Sequence, residues 1–289
     1  DCLEFDEALA TIDVFYDLAF LLMDLCHRGL DDLAIDLLNA YLDRTEDVEG
    51  AALLPLFLAI RATIRAKIEG FEIRTAGSGE ERSKHRLAAV QYLDLARDLL
   101  AAAPPKLIAI GGISGTGKST IARLLAHRLG RMHWPVVLRS DVVRKLLSGI
   151  EPTTRLGARA YSPSRSADVY RHLRERAAVL LRAGRTVIVD ATFLDPGERR
   201  LVGCLADDLA VPFQGIWLDA PTTVLELRVA RRRNDASDAD LDVLASQLER
   251  DIGSMSWAVF DASVEADLIA AQIHEHVAVN DDLVDRSDR

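Results

Sequence analysis

The sequence predicts an α/β protein in which a three-layer αβα domain with a parallel sheet follows an all-helical domain. Three observations predict this class. Apolar residues recur mainly at helical spacing up to position 103, short apolar runs alternate with helical patterns after Pro105, and a glycine-rich segment follows the first of those runs. We therefore divide the 289 residues into a helical domain at 1–103, a linker at 104–105 and an α/β domain at 106–289.

Four helices are expected in the first domain. Leucines at positions 18, 21, 22 and 25 recur at helical spacing, and so do apolar residues at positions 33, 37, 38 and 41. The segments Leu53–Ile68 and Leu87–Leu100 predict two further helices, with a flexible connection at 75–79 between them. Pro104 and Pro105 then end the helical pattern.

Strands and helices alternate in the second domain. The candidate strands are Leu107–Ile110, Val136–Leu138, Thr186–Val189, Phe213–Leu218 and a short one near His276–Val279. The candidate helices are roughly Lys118–Leu129, Asp141–Leu147, Ser166–Ala183, Pro196–Leu209, Thr222–Arg233 and Ala239–Ile252. Because the strands are continuous apolar runs rather than alternating ones, the pattern favours a parallel sheet covered on both faces.

The composition narrows the class of protein. With 49% hydrophobic and 28% charged residues, the chain is typical of globular proteins with a sizeable core. Its net charge of −10 disfavours a protein that mainly binds nucleic-acid backbones. Three widely spaced cysteines predict reduced thiols in a cytoplasmic protein. We expect neither a membrane span nor a signal peptide, and the first residue, Asp1, is compatible with a fragment of a longer protein.

The segment Gly112–Ser119 has the pattern G-x-x-x-x-G-K-S between a predicted strand and a predicted helix. In this context the motif binds nucleoside triphosphates, because the glycines let backbone N–H groups and a helix N-terminus face a polyphosphate. Lys118 can reach the β- and γ-phosphates, and Ser119 can ligate Mg²⁺. The fold is thus predicted to be that of a P-loop NTPase. The predicted residues for ATP and Mg²⁺ are Gly112, Ser114, Gly115, Thr116, Gly117, Lys118, Ser119 and Thr120.

Carboxylates follow three of the predicted strands, where parallel sheets place ligand-binding groups. Asp141 is predicted to orient an acceptor hydroxyl and to accept its proton. Asp190 ends the sequence V-I-V-D and is predicted to support Mg²⁺. The next residue, Ala191, cannot activate water, which favours transfer to a bound hydroxyl over hydrolysis. For Asp219, a helix N-cap explains the residue equally well.

Basic residues complete the predicted site. Arg228 and Arg232 precede a Ser/Asp-rich loop, and a lid carrying them would stabilise the transferring phosphoryl group; a solvated basic helix face is the alternative. Arg144 follows Asp141 by one helical turn and is a candidate for binding an anionic group of the acceptor or the phosphates. Tyr161 and Arg165 are candidates for lining the acceptor pocket, although a plain loop and helix N-cap fits them as well.

These motifs resemble those of P-loop kinases for small molecules and polynucleotides, with an ATP-binding domain of the AAA_33 type. The resemblance covers residues 106–265 and rests on the P-loop, the S-D-x-x-R box at 140–144, the run Val187–Phe193 and the segment Arg228–Asp240. The group includes gluconate kinase, chloramphenicol phosphotransferase, the zeta-toxin kinases and polynucleotide 5′-kinase. In the last three an Asp placed like Asp141 is the base, so the resemblance implies that role here.

The first 25 residues resemble another family, the aminoglycoside-phosphotransferase-like kinases, in their C-terminal helical lobe. The similarity lies in Asp1–Asp6 and in the string I-D-V-F-Y-D-L-A that starts at Ile12. It implies that Asp1 matches a Mg²⁺-binding Asp of that family. It also implies that the nucleotide lobe upstream is missing, so that this truncated lobe does not catalyse by itself.

Together these observations predict a Mg²⁺- and ATP-dependent kinase that phosphorylates a hydroxyl of a sugar, sugar acid or antibiotic-like small molecule. The predicted catalytic residues are Asp141, Lys118, Arg228 and Arg232. Two alternatives stay open. A nucleic-acid 5′-hydroxyl kinase is disfavoured by the net charge, and an ATP-sensing regulatory module is disfavoured by Asp141 and the arginine segment. No membrane partner is expected.

Overall fold

The chain forms two compact units. In the computed structural model, one unit comprises Asp1–Pro104 and Gly130–His133, and the other comprises Pro105–Leu129 and Trp134–Arg289. The structure describes residues 12–101, 103–150, 156, 162–231 and 239–287. Across these ranges no helix combines the length and the apolar character that a bilayer crossing requires.

In its described part, the helical unit contains four α-helices and one short 3₁₀ turn. They are α1 (Val14–His27), α2 (Asp31–Thr45), the turn Gly50–Ala52, α3 (Leu54–Thr75) and α4 (Gly79–Leu100). Side-chain caps start two of them. Asp13 accepts a hydrogen bond from the Phe15 N–H at 2.8 Å, and Ser78 and Glu81 form a capping box before α4. The last two helices are longer than predicted, so their connection shrinks to residues 76–78.

The second unit confirms the predicted fold class. Its elements are β1 (Leu107–Gly111), α5 (Lys118–Leu129), β2 (Val136–Arg139), α6 (Ser140–Leu146), α7 (Pro163–Arg182), β3 (Val187–Asp190), α8 (Pro196–Asp208), β4 (Phe213–Asp219), α9 (Thr222–Arg231), α10 (Leu241–Leu248), β5 (Ala258–Asp261) and α11 (Ala266–Ser287). The five strands are all parallel, in the order β2-β3-β1-β4-β5. Every residue of β1 and β3 is buried, as expected when helices cover both faces.

Strand register places the carboxyl ends of the first three strands side by side. Asp190 of β3 lies opposite Ile110 of β1 and opposite Arg139 of β2. The segments that follow these strands therefore all start at the carboxyl-terminal side of the sheet, which is the side where ligands bind in open parallel sheets.

One predicted strand was wrong, and one observed strand was not predicted. The segment near His276–Val279 is not a strand but part of α11, where Ile269, Ile273 and Val277 are buried at four-residue intervals on one helix face. The fifth strand is instead Ala258–Asp261, which the sequence analysis did not predict. It lies at the sheet edge with alternate residues exposed, so it lacks the continuous apolar run of the inner strands.

Candidate active site

The phosphate-binding loop connects β1 to α5. Gly112, Gly115 and Gly117 have φ values of +146°, +92° and +86°, which favour glycine. Steric contacts with neighbouring backbone atoms also require glycine at two of these positions. A Cβ on Gly112 would lie 2.7 Å from the carbonyl oxygen of Leu218, and one on Gly115 would lie 2.9 Å from that of Leu225. The loop is therefore held tightly between β4 and α9.

Lys118, the first residue of α5, folds back onto the loop. Its Nζ donates a hydrogen bond to the carbonyl oxygen of Ile113 at 3.0 Å, and the Thr116 hydroxyl donates to the same oxygen at 2.9 Å. The ammonium, the loop N–H groups and the N-terminus of α5 together form a positive site suited to a polyphosphate.

Ser119, Asp190 and Arg139 form a polar cluster beside the loop. The Ser119 hydroxyl donates to Oδ2 of Asp190 at 2.5 Å, and the carboxylate is buried, with 4% of the residue exposed. Arg139 Nη2 donates to the Ser119 hydroxyl at 3.3 Å, and its Nε lies 3.7 Å from the Asp190 carboxylate. No role for Arg139 was predicted from the sequence.

The cluster fits Mg²⁺ in its chemistry. Hydroxyl and carboxylate oxygens are hard ligands of the kind Mg²⁺ prefers, and this ion is usually held by one or two carboxylates together with substrate phosphates. In the described ranges no group of three or more His, Cys, Asp or Glu residues could hold a metal ion by itself. Ser119 and Asp190 would thus hold Mg²⁺ together with a bound nucleotide.

Asp141 and Arg144 lie on α6, which starts directly after β2. Asp141 is in the first turn of this helix, near the carboxyl-terminal side of the sheet, where Asp190 also lies. Arg144 is buried, and its Nη1 donates to the hydroxyl of Ser166 on α7 at 3.3 Å. Arg165, in the first turn of α7, is exposed. The structure thus fixes Arg144 but leaves Arg165 at the surface.

Tyr170 on α7 supports the loop after β3. Its hydroxyl accepts a hydrogen bond from the Phe193 N–H at 2.8 Å and lies 3.2 Å from the Thr192 hydroxyl. The Thr192 carbonyl in turn accepts from the Gly112 N–H at 3.2 Å. Burial raises the pKa of Tyr170, so the hydroxyl stays neutral. The sequence analysis missed this link, because no local pattern connects Tyr170 to the phosphate-binding loop.

Arg228 lies beside the phosphate-binding loop. Its Nη1 donates to the carbonyl oxygen of Ala262 at 2.7 Å and lies 3.5 Å from that of Gly115. The guanidinium therefore contacts the backbone at the start of the loop, and its role toward phosphates stays a prediction. Arg232, Tyr161 and Asp1 lie outside the described residues, so their predicted roles also remain predictions.

Gln247 on α10 and Arg199 on α8 also make contacts around the site, and these contacts were not predicted. The Ser114 N–H of the phosphate-binding loop donates to Oε1 of Gln247 on α10 at 2.8 Å. Arg199, on α8, donates to the carbonyls of Phe193 at 2.7 Å and Ser254 at 3.3 Å, and its burial lowers the pKa of the guanidinium. The Ser114–Gln247 and Arg199–Ser254 contacts join residues 133 and 55 positions apart, which leaves no spacing signal to detect.

Comparison with known proteins agrees with this geometry. Residues 107–250 match the AAA_33 family, described as an AAA domain. Uncharacterized proteins of Mycobacterium tuberculosis and Mycobacterium bovis are 34% identical over 255 residues, which cover 86% of this chain and 49% of each relative. The chain thus spans about half the length of the curated relatives it matches.

Solved kinase structures are also similar to part of this chain. The Mycobacterium tuberculosis APS kinase in complex with AMPPNP and APS is 22% identical, with a TM-score of 0.45 over 61% of this chain and 99% of that chain. A gluconokinase from Sinorhizobium meliloti 1021 is 20% identical, with a TM-score of 0.41 over 61% of this chain and 97% of that chain. The unit has a P-loop kinase-like fold.

Proposed function

We propose that the α/β unit is a Mg²⁺- and ATP-dependent kinase that transfers the γ-phosphate to a hydroxyl of a small molecule, such as a sugar, sugar acid or antibiotic-like compound. The observation that carries this proposal is the contact between Ser119 and Asp190 beside the loop that Lys118 closes. These are the parts that P-loop enzymes use to hold a metal–nucleotide complex. The AAA_33 match over residues 107–250 supports the same assignment.

Each charged group has a separate task in this proposal. Lys118 and the loop N–H groups bind the β- and γ-phosphates, and Ser119 and Asp190 hold Mg²⁺. When bound, Mg²⁺ would neutralise the charge that develops on the phosphate oxygens. Arg228 and Arg232 are the candidates for adding positive charge near the transferring group.

Asp141 is the proposed base. A carboxylate near the attacking hydroxyl orients it and accepts its proton during transfer. Ala191, which follows Asp190, is fully buried and has no group that could activate water. This supports an alcohol acceptor over hydrolysis. Arg144, held by Ser166, would attract an anionic or strongly polar acceptor, with Tyr161 and Arg165 as further candidates for its pocket.

The proposed location is the cytoplasm. Cys26 and Cys204 are both free thiols, and free thiols are typical of reducing compartments. The proposed reaction also uses ATP as its substrate, which fits the same location.

The test is an ATP-consumption screen across sugars, sugar acids, aminoglycosides, nucleosides and 5′-hydroxyl oligonucleotides. One class should stimulate ATP use, and Asp141→Asn should lower that rate about 10²–10⁴-fold while leaving ATP binding intact. Asp219→Asn is the matched control, because Asp219 is exposed at the end of β4, a strand separated from β2 by β3 and β1. An unchanged rate in Asp141→Asn would show that the base assignment is wrong. ATP binding without stimulation by any acceptor would favour a regulatory module.

A further inference from the structure

The peptide unit between Ile113 and Ser114 is held from two sides. Its carbonyl oxygen accepts hydrogen bonds from Lys118 Nζ and from the Thr116 hydroxyl, and its N–H donates to Oε1 of Gln247 at 2.8 Å. The described peptide bonds are all trans, so this carbonyl and this N–H point in opposite directions. Gln247 therefore binds the peptide on the side opposite to Lys118.

The helix that carries Gln247 is itself fixed in place. Leu244, one turn earlier on α10, is buried in a cluster with Leu225 and Val229 of α9, and Ile113 packs against that cluster. Asp240 caps the start of α10 by accepting from the Val243 N–H at 3.0 Å. The Gln247 side chain thus reaches the loop from a helix that Leu244 anchors to α9, which lowers the entropy cost of holding its hydrogen bond.

The chain segment after α10 is anchored as well. Arg199 Nη2 donates to the carbonyl of Ile252 at 2.5 Å and to that of Ser254 at 3.3 Å. The same guanidinium also donates to the Phe193 carbonyl, so Arg199 connects the loop after β3 to the segment after α10. Because both ends of this region are held, Gln247 is well placed to stay on the loop rather than to be displaced from it.

We propose that Gln247 is a positioning residue for the phosphate-binding loop, acting on Lys118 through the Ile113–Ser114 peptide. By fixing the N–H of this peptide, Gln247 fixes the direction of the carbonyl that binds the Lys118 ammonium. Ser114 is buried, with 5% exposed, so its N–H needs an acceptor from the protein. The inference rests on the proposed function only in requiring that this loop binds ATP.

A double-mutant cycle tests this role. Gln247→Met keeps the length of the side chain but removes the acceptor, and it should weaken the binding of fluorescent mant-ATP about tenfold, since a buried N–H loses its partner. If Gln247 acts through Lys118, the same substitution should change the affinity less than twofold in a Lys118→Met background. A structural role alone would give similar losses in both backgrounds, and that result would overturn the proposal.

A control variant and three further outcomes of the mant-ATP assay complete the test. Ser246→Ala, at the exposed neighbouring position of α10, is the matched control and should bind mant-ATP like the wild type. Tighter binding by Gln247→Met than by the wild type would mean that Gln247 competes with the nucleotide, which also overturns the proposal. Failure of the wild-type protein to bind mant-ATP at all would refute the proposed function, whereas normal binding by Gln247→Met refutes only the role of Gln247.

Discussion

At Gly115 the phosphate-binding loop lies close against α9, and replacing this residue gives a sharp test of the site. A Cβ at this position would lie 2.9 Å from the carbonyl oxygen and 3.2 Å from the Cα of Leu225, and 3.2 Å from Cγ2 of Val229. Two of these three atoms belong to the backbone and cannot rotate away. Gly115→Ala should therefore both destabilise the α/β unit and abolish ATP binding.

The expected magnitude has two parts. A non-glycine residue in a left-handed conformation costs about 1–2 kcal/mol, and the φ of +92° lies in that range of positive values. Overpacking against fixed atoms adds about 1–3 kcal/mol. The combined loss of roughly 2–5 kcal/mol corresponds to a fall in Tm of roughly 4–20 °C for a domain of this size.

Gly184→Ala is the matched control that measures only the cost of placing a non-glycine residue in a left-handed backbone conformation. Gly184 has a φ of +75° at the end of α7, but a Cβ there would meet no atom within 4 Å. All three tryptophans belong to the α/β unit, so tryptophan fluorescence follows the unfolding of this unit by itself. The wild type and Gly184→Ala should gain Tm on addition of Mg²⁺ and ATP, and Gly115→Ala should not. Equal Tm losses in the two variants, with the ATP effect retained in both, would refute the reasoning.

Two further predictions concern Mg²⁺ and pH. In Asp190→Asn, the gain in ATP affinity on adding Mg²⁺ should shrink about tenfold, because one charged ligand of the ion is lost. Titrations with mant-ATP, with and without Mg²⁺, measure this gain. An unchanged gain would contradict the assignment of Asp190 to the metal. Burial, with Asp31 nearby, raises the pKa of the Cys26 thiol from 9.0 to about 12. The native state then keeps a proton that the unfolded state releases, so stability of the helical unit should fall as pH rises from about 9 to 12. Urea unfolding at pH 8 and pH 10.5 measures this fall, and an equally steep fall in Cys26→Ser would count against it.

The sequence predicted the fold class because the inner strands are apolar runs separated by turn and helix signals. Four strands were predicted to within two residues of their observed bounds. The edge strand Ala258–Asp261 has only four residues, half of them exposed, so it lacks the continuous apolar run by which the inner strands were predicted. The false strand near His276 arose from the β-branched residues Val277 and Val279, although the helical burial period of α11 outweighs their local preference.

The site was predictable where a motif is contiguous. The order of Gly112, Lys118 and Ser119 encodes the loop, and Asp190 ends its strand, so local patterns were enough to nominate these candidate residues. Gln247 and Tyr170 reach the loop region through contacts that span 133 and 22–23 positions. Such contacts depend on how helices pack in three dimensions, and a single sequence carries no pattern that specifies them.

The central place of β1 has a consequence for how the protein is made. Leu107 pairs with Val187 and with Phe213, which lie 80 and 106 positions further along the chain (187 − 107 and 213 − 107). The strand that leads into the phosphate-binding loop therefore emerges from the ribosome long before either neighbour exists, and pairings this distant in sequence slow folding. Nascent chains that stop before Phe213 leave one edge of β1 open to pairing with other chains. If the loop binds ATP as proposed, retention on immobilised ATP would accordingly report synthesis of the chain through β4, since β1 gains both of its neighbouring strands only at that point.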